Sequence, residues 1–383
     1  MLKIGFLLPR STVYPLIGHD FADGCRSYFA DAGLTDEIQI ATANIGFGID
    51  EADVYAKNEE LILNENVDVV VAFVDGRCAE MLEPLFAATG KILLLVNMGA
   101  HYAYDVSPAS TSICHTFDTA FNCWLTGKLA SAQGHAKALL ATSYYDGGYL
   151  QCFAMATRYL KDGNTIAGNF ISHFKRADFN IEGLSTGLNE DPDVDTLLCL
   201  FSGDVSPLIY KELSGLQQQR NLNLYVSPMM LDESLKAVLD SDFSIENLKG
   251  YTAWNSQLDN EDNKKFKDSF SRFSGRVPGM FSLLGWETGT IIQEIDKLYK
   301  EGLKGPNAVK KLMQLTLNSP RGWVKFDEQT RQSYSPAYLV AGKGNFDLAV
   351  EEMREDNTDE RKTFIAEKPV GAASGWRNTY LCS

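Results

Sequence analysis

Two continuous apolar runs, Val67 to Val74 and Ile92 to Val96, show no alternation with polar positions. Short, β-branched-rich runs of this kind suit strands of a parallel sheet buried on both faces. Between them Ala79 to Ala88 has helical spacing, and Gly90 supplies the left-handed residue that closes a helix. The result is a βαβ unit whose sheet must be covered by helices. Ligands of such sheets bind beyond the carboxyl ends of the strands. The polar tips Asp75-Gly76-Arg77-Cys78 and Asn97-Met98-Gly99-Ala100-His101 are therefore the first candidates for a site.

The same rhythm runs along most of the chain. Leu2 to Leu8 predicts a strand stopped by Pro9, followed by the hydroxyl-bearing loop Arg10 to His19 and a helix over Asp20 to Ala32. A second strand over Ile38 to Ala43 and a helix over Glu51 to Asn64 precede the βαβ unit. Ser112 to Thr116 predicts a fifth strand, with Asp118 as cap of the next helix. The alternation then restarts: strands over Ala136 to Thr142, Thr165 to Ile171, Thr196 to Phe201 and Asn223 to Val226, with helices between them and one running on to Leu239. Two successive βα series imply two lobes of the same build. Gly250 to Trp254 predicts a strand crossing back, before helices over Glu261 to Phe273, Phe281 to Lys300 and Asn307 to Thr316. Two strands, Gly322 to Phe326 and Ala337 to Val340, follow, and the charge-dense stretch Glu351 to Glu360 predicts a solvated linker or surface helix. Gly371 to Ser383 includes Trp376 and Tyr380, so it is expected to pack against the body.

A length of 383 residues divides naturally into two domains of ordinary size. Hydrophobic content of 45% against 22% charged residues excludes wholesale disorder. A formal net charge of −15 without a Lys/Arg cluster disfavours nucleic acid as a partner. No apolar run approaches the roughly 18 to 20 residues that span a bilayer. The start, MLKIGFLLPR, enters a strand at once. Two compartments fit: cytoplasmic if Met1 is the native start, periplasmic if a signal was removed. Seven scattered cysteines, mostly in apolar runs, favour buried reduced thiols, and no pair has the spacing of a zinc site.

The order of elements resembles the type 1 periplasmic binding proteins, in particular the branched-chain amino-acid and amide group of ABC-transporter substrate-binding proteins. The resemblance covers Lys3 to Val350 and rests on IGFLLPRSTVYPLIGHDFADG, VDVVVAFVDGRCAEMLEPL, KILLLVNMG, SICHTFDTAFNCWLTGKLA, DGGY at 146 to 149, and GYTAWN followed by GMFSLLGWETGTIIQEID. It implies an α/β fold of two Rossmann-like lobes with parallel sheets, joined by a three-strand hinge with crossovers near residues 117, 249 and 330. The lobes would comprise residues 1–117 plus 250–330 and 118–249 plus 331–355, with 356–383 as an extension. The function implied is a non-enzymatic solute-binding protein that closes over a small organic ligand for ABC-type import, without a cofactor. A permease would be its partner. The alternative is a cytoplasmic ligand sensor of the amide-sensor type, acting on a regulatory partner.

Family contacts carried over by position fall on Ser11, Thr12 and Tyr14, on Asp75, Arg77 and Cys78, and on Asn97, Met98, Gly99 and His101. In the second lobe they fall on Tyr149, with Tyr145 nearby, and on Met229. At the tip Ser227 to Met230 amino-acid binders place an acidic residue for the α-amine. Here Pro228 and Met229 stand there, Asp204 is the substitute, and a more apolar or aromatic ligand becomes as good a fit as an α-amino acid. From chemistry alone, Arg77 suits a bidentate clamp on a carboxylate or an ion pair with Asp75. His101 suits a pH-sensitive contact, and Trp254 suits a cleft wall. Cys78, near a helix start, has the place of an activated thiol, but no histidine is set beside it and the reading as a small apolar filler prevails. Asp146-Gly147-Gly148 reads as a turn.

Overall fold

The apolar runs of the first third form one parallel sheet in a computed structural model that describes residues 1–100, 110–369 and 378–381. Its strands are β1 (Leu2–Leu8), β2 (Ile38–Asn44), β3 (Val69–Phe73), β4 (Ile92–Asn97) and β5 (Ser112–Thr116), in the order β2-β1-β3-β4-β5. Helices α1 (Ile17–Asp31), α2 (Glu51–Leu63) and α3 (Arg77–Thr89) connect them. The lack of alternation has a direct cause. Phe6, Val71, Phe73 and Val96 point into one core, whereas Leu7, Val70, Ala72 and Leu95 point into a second beneath the other face. Gly90 ends α3 in the left-handed conformation, as its position predicts.

After β5 the chain crosses into a second sheet. Between α4 (Thr119–Ala132), α5 (Leu150–Leu160), α6 (Glu182–Glu190) and α7 (Ser206–Gln217) lie strands β6 (Lys137–Thr142), β7 (Thr165–Ile171), β8 (Thr196–Leu200), β9 (Asn223–Val226) and β10 (Ile245–Thr252). It then returns to the first lobe with α8 (Glu261–Ser274), α9 (Met280–Lys300) and α10 (Gly305–Leu312). A small sheet of β11 (Leu317–Ser319), β12 (Gly322–Phe326) and β13 (Ser333–Tyr334) leads to a third crossing. Antiparallel β14 (Ala337–Gly344) and β15 (Asp347–Arg354) complete the second sheet in the order β15-β14-β10-β9-β8-β6-β7, and α11 (Thr358–Ala366) follows. The fold is thus two α/β lobes, the second with an antiparallel pair at the edge of its parallel set, and three connections among the described residues. Each five-strand parallel set has its first strand between its second and third, so each sheet has a switch point at its first strand.

Several elements differ from the sequence reading. The helix expected up to Leu239 is a pair of 3₁₀ turns, Pro228–Leu231 and Glu233–Val238, interrupted where the Asp232 side chain caps Ser234 N. Asp118 stands before α4 but does not cap it. Its backbone is left-handed, and its carboxylate instead accepts a hydrogen bond from Arg361 Nη2. The charge-dense stretch begins as β15, an outer strand whose Leu348 and Val350 face the core while Glu351 and Glu352 face water. Charged outer strands discourage further strand pairing.

Candidate functional site

The strand tips of the two sheets face each other across a cleft. On the first-lobe side Ser11, beyond β1, is buried and accepts a hydrogen bond from Tyr14 N at 2.9 Å, which tightens the turn into α1. That turn aims the Tyr14 ring across the cleft, where its hydroxyl accepts from Gly203 N at 2.9 Å. Phe281, at the start of α9, stands edge-on to Tyr14 with ring centres 4.9 Å apart. Beyond β3, Asp75 is buried.

On the second-lobe side the tight turn after β6 buries Asp146 beneath the cleft floor. Its carboxylate accepts from Ser143 Oγ at 2.6 Å, Ser202 Oγ at 2.7 Å and Gln151 Nε2 at 3.1 Å. Burial pushes the Asp146 carboxyl up to about 6, although these three hydrogen bonds pull it the other way. The arrangement fixes the Gln151 amide with one edge on Asp146 and the other toward the cleft. Tyr149, at the start of α5, is buried beside it.

Between these walls lies the segment Asn378 to Leu381 of the same chain. The Tyr380 hydroxyl meets Gln151 Nε2 at 2.9 Å and Oε1 at 3.1 Å, and its ring centre lies 5.7 Å from Tyr14 and 5.6 Å from Tyr149. Ser11 Oγ donates to the Tyr380 carbonyl at 2.5 Å, and Tyr380 N donates to the Tyr149 hydroxyl at 3.1 Å. Asp75 accepts from Thr379 N at 3.0 Å, while Asp75 N donates to Asn378 Oδ1 at 2.9 Å. The expectation that 371–383 packs against the body is met for Tyr380 inside the cleft itself, while Trp376 lies outside the described residues.

Of the residues named from sequence, Ser11, Tyr14, Asp75 and Tyr149 converge on one slot. Thr12 and Asp204 lie exposed at its mouth, lining with Tyr145 a recess of about 310 Å³, and Asp204 pairs with Arg176 at 3.7 Å. Met229 is buried in the core that underlies the slot, and Trp254 donates its indole N–H to Asn263 Oδ1 at 2.9 Å. Trp254 also borders a separate cavity of about 660 Å³ between the Pro228–Leu231 turn and the end of α8.

Four others lie in packing positions. Cys78 sits in the core beneath α3, and Met98 is fully buried. Asn97 ties the tips together, donating to Val74 O at 3.2 Å and accepting from Gly99 N at 2.8 Å. Gly99 has φ +67°, and a Cβ there would meet Asp118 N at 2.6 Å, so this tip is pressed against the first crossing. Arg77 opens α3, but its side chain lies outside the described residues, as does His101. The reading missed Gln151, because an amide inside an apolar helix carries no signal, and Asp146, whose turn hid a buried carboxylate. Among the described residues no cluster of three or more His, Cys, Asp or Glu is placed to hold a metal ion.

Behind the cleft, β5, α9 and the small sheet meet in a buried ion network. Arg321 Nε and Nη2 donate to Glu287 at 2.8 and 2.9 Å, and His115 Nε2 stands 3.0 Å from the same carboxylate. Burial by itself would raise the Glu287 carboxyl, but the Arg321 charge and then His115 reverse this and hold it at about 2. The network binds the first and third crossings to α9.

The family model described as periplasmic binding protein matches residues 1–346. A search of curated proteins found no match. Among solved structures, a solute-binding protein of an ABC transporter from Rhodopseudomonas palustris in complex with 3,4-dihydroxybenzoic acid superposes with a TM-score of 0.73 at 16% identity, covering 92% of this chain and 97% of that one. A second R. palustris solute-binding protein, in complex with 4-hydroxybenzoate, gives 0.73 at 18% identity, with 94% and 98% covered. The branched-chain amino acid transporter substrate-binding protein of Streptococcus pneumoniae, in complex with isoleucine, gives 0.66 at 14% identity, with 93% and 99% covered. These likenesses establish the fold.

Proposed function

The chain belongs to the periplasmic binding protein family, and we propose that it is the solute-binding component of an ABC importer whose solute is a small aromatic acid. The lobes are 1–117 plus 250–330 and 118–249 plus 331–355. They close on the solute as a hinged pair and then present it to a permease in the inner membrane. The working protein resides in the periplasm.

One observation supports the aromatic class above others: a ring-sized slot walled by Tyr14 and Tyr149 and floored by the Gln151 amide that Asp146 holds. Aromatic walls favour a flat, polarisable ring, and a fixed amide distinguishes a ring hydroxyl from a ring hydrogen. An α-amino acid needs an acidic partner for its ammonium. The Pro228–Leu231 turn supplies none and instead buries Met229 and Met230. Two of the solved relatives hold hydroxylated benzoic acids, which have the shape and polarity of this slot.

Calorimetric titration of the full chain with 4-hydroxybenzoate, benzoate and isoleucine tests the reading. 4-Hydroxybenzoate is expected to bind most tightly, and Gln151→Leu should reduce its advantage over benzoate by about tenfold, the worth of one buried hydrogen bond. Tighter binding of isoleucine than of either aromatic acid would reject the assignment.

A further inference from the structure

The slot described above is filled by the protein's own chain. Every polar group of Tyr380 is paired with a cleft residue: its N–H with Tyr149, its carbonyl with Ser11 and its hydroxyl with Gln151. Tyr380 is 1% exposed and Leu381 4% exposed, and both belong to the apolar core that continues into the first lobe. Asn378 reaches further along the same lobe, donating from Nδ2 to Gly48 O while accepting from Asp75 N. Four residues thereby touch the tips after β1, β2 and β3 of one sheet and the turn and helix after β6 of the other. That is where Rossmann-like sheets take their ligands.

The backbone supports the same conclusion. Asn378 and Tyr380 have φ values of +50° and +67°. Left-handed backbone is uncommon outside glycine and persists where the surroundings hold it in place. Here the holding contacts come from both lobes, so the segment bridges them as a bound solute would.

We propose that segment 378–381 is the cleft's own ligand: it keeps the lobes closed when solute is absent, and a solute enters only by displacing it. The proposal rests on the reading of this slot as the solute site. What the slot recognises is a 4-hydroxyphenyl ring, with one hydrogen-bond donor directed at Tyr149 and one acceptor directed at Ser11. The affinity measured for any solute is then its intrinsic affinity reduced by the fraction of time the slot stands empty. Solute uptake becomes an exchange of one occupant for another.

The test uses the full chain and the same chain carrying Tyr380→Ala. In the unaltered protein the amides of Thr379 and Tyr380 are expected to exchange with deuterated solvent far more slowly than in the free pentapeptide Arg-Asn-Thr-Tyr-Leu, because they donate to Asp75 and Tyr149. That pentapeptide, added separately, is expected to bind Tyr380→Ala and to be refused by the unaltered chain. 4-Hydroxybenzoate is expected to bind the variant at least about tenfold more tightly, since an internal ligand seated about 90% of the time weakens an external one by that factor. Exchange at the free-peptide rate overturns the proposal without reference to any variant. Binding of 4-hydroxybenzoate by both proteins with equal affinity, or refusal of the pentapeptide by the folded variant, also overturns it. Binding of the pentapeptide with no aromatic acid bound would uphold the internal ligand and reject the aromatic-acid solute, which separates the two failures.

Discussion

Asp146 and Glu287 are both buried carboxylates, yet their surroundings drive them in opposite directions. Asp146 has only neutral hydrogen-bond partners, so burial dominates and its carboxyl rises to about 6. A carboxyl raised in the folded state favours the protonated form. Its contribution to stability is full below its ordinary value near 3.8 and is lost as the pH rises through 6, about 3 kcal/mol in all. Urea denaturation between pH 4 and 7 should show that decline in the unaltered protein and a flatter profile in Asp146→Asn. For Glu287, held at about 2 by Arg321 and His115, the sign reverses. Its contribution is present above its ordinary 4.5 and is lost as the pH falls toward 2. Arg321→Met leaves that carboxylate buried without its main partner, and an equilibrium denaturation curve at pH 7 should show a loss of about 3 to 5 kcal/mol. Neither environment was legible in the sequence. Asp146 read as a turn residue, and Glu287 and Arg321 are 34 positions apart.

At the scale of elements, α1 and α9 pack in direct backbone contact. A Cβ at Gly285 would lie 2.0 Å from Phe21 O, and one at Gly24 would lie 2.1 Å from Ser282 O, so the two helix backbones touch. Gly285→Ala must separate the helices or bend them. Overpacking of this kind costs about 1 to 3 kcal/mol, expected as a lowered midpoint in thermal denaturation. The extents of α1 and α9 were largely legible, because a period of 3.6 residues marks a buried stripe. Their intimacy was not, since a glycine within a helix has the same appearance whether it faces water or a neighbouring backbone. The region after β9 was misread for a related reason. Apolar residues at helical spacing also suit 3₁₀ turns that bury Met229, Met230 and Leu235, and the Asp232 cap decides between the two.

For the whole molecule, contacts across the cleft hold the lobes together, among them Gly203 N to the Tyr14 hydroxyl and the bonds of the Tyr380 carbonyl to Ser11 and of its hydroxyl to Gln151. Lobe pairs joined by short crossings change state by hinge rotation, and small differences in contact energy select the state. Small-angle scattering without added solute should therefore give a larger radius of gyration for Tyr380→Ala than for the unaltered chain. Saturating 4-hydroxybenzoate should restore the compact value. An unchanged radius in the variant would overturn the statement that segment 378–381 keeps the lobes closed.

The sequence by itself determined the parallel strands of both series and the division into two βα series, because burial on both faces demands unbroken apolar runs and crossover helices leave a 3.6-residue signature, whereas the antiparallel edge strand β15 read as a linker or surface helix. It also pointed to the strand tips, since ligands of such sheets bind beyond the carboxyl ends of their strands. Which tip residues face the cleft was decided only in three dimensions. Asn97 and Gly99 brace the hinge, Cys78 fills a core, and Gln151 and Asp146 form the floor. The contact of Ser11 with Tyr380 joins positions 369 apart. No local pattern encodes a pairing across that distance, because it exists only after both lobes have folded and closed.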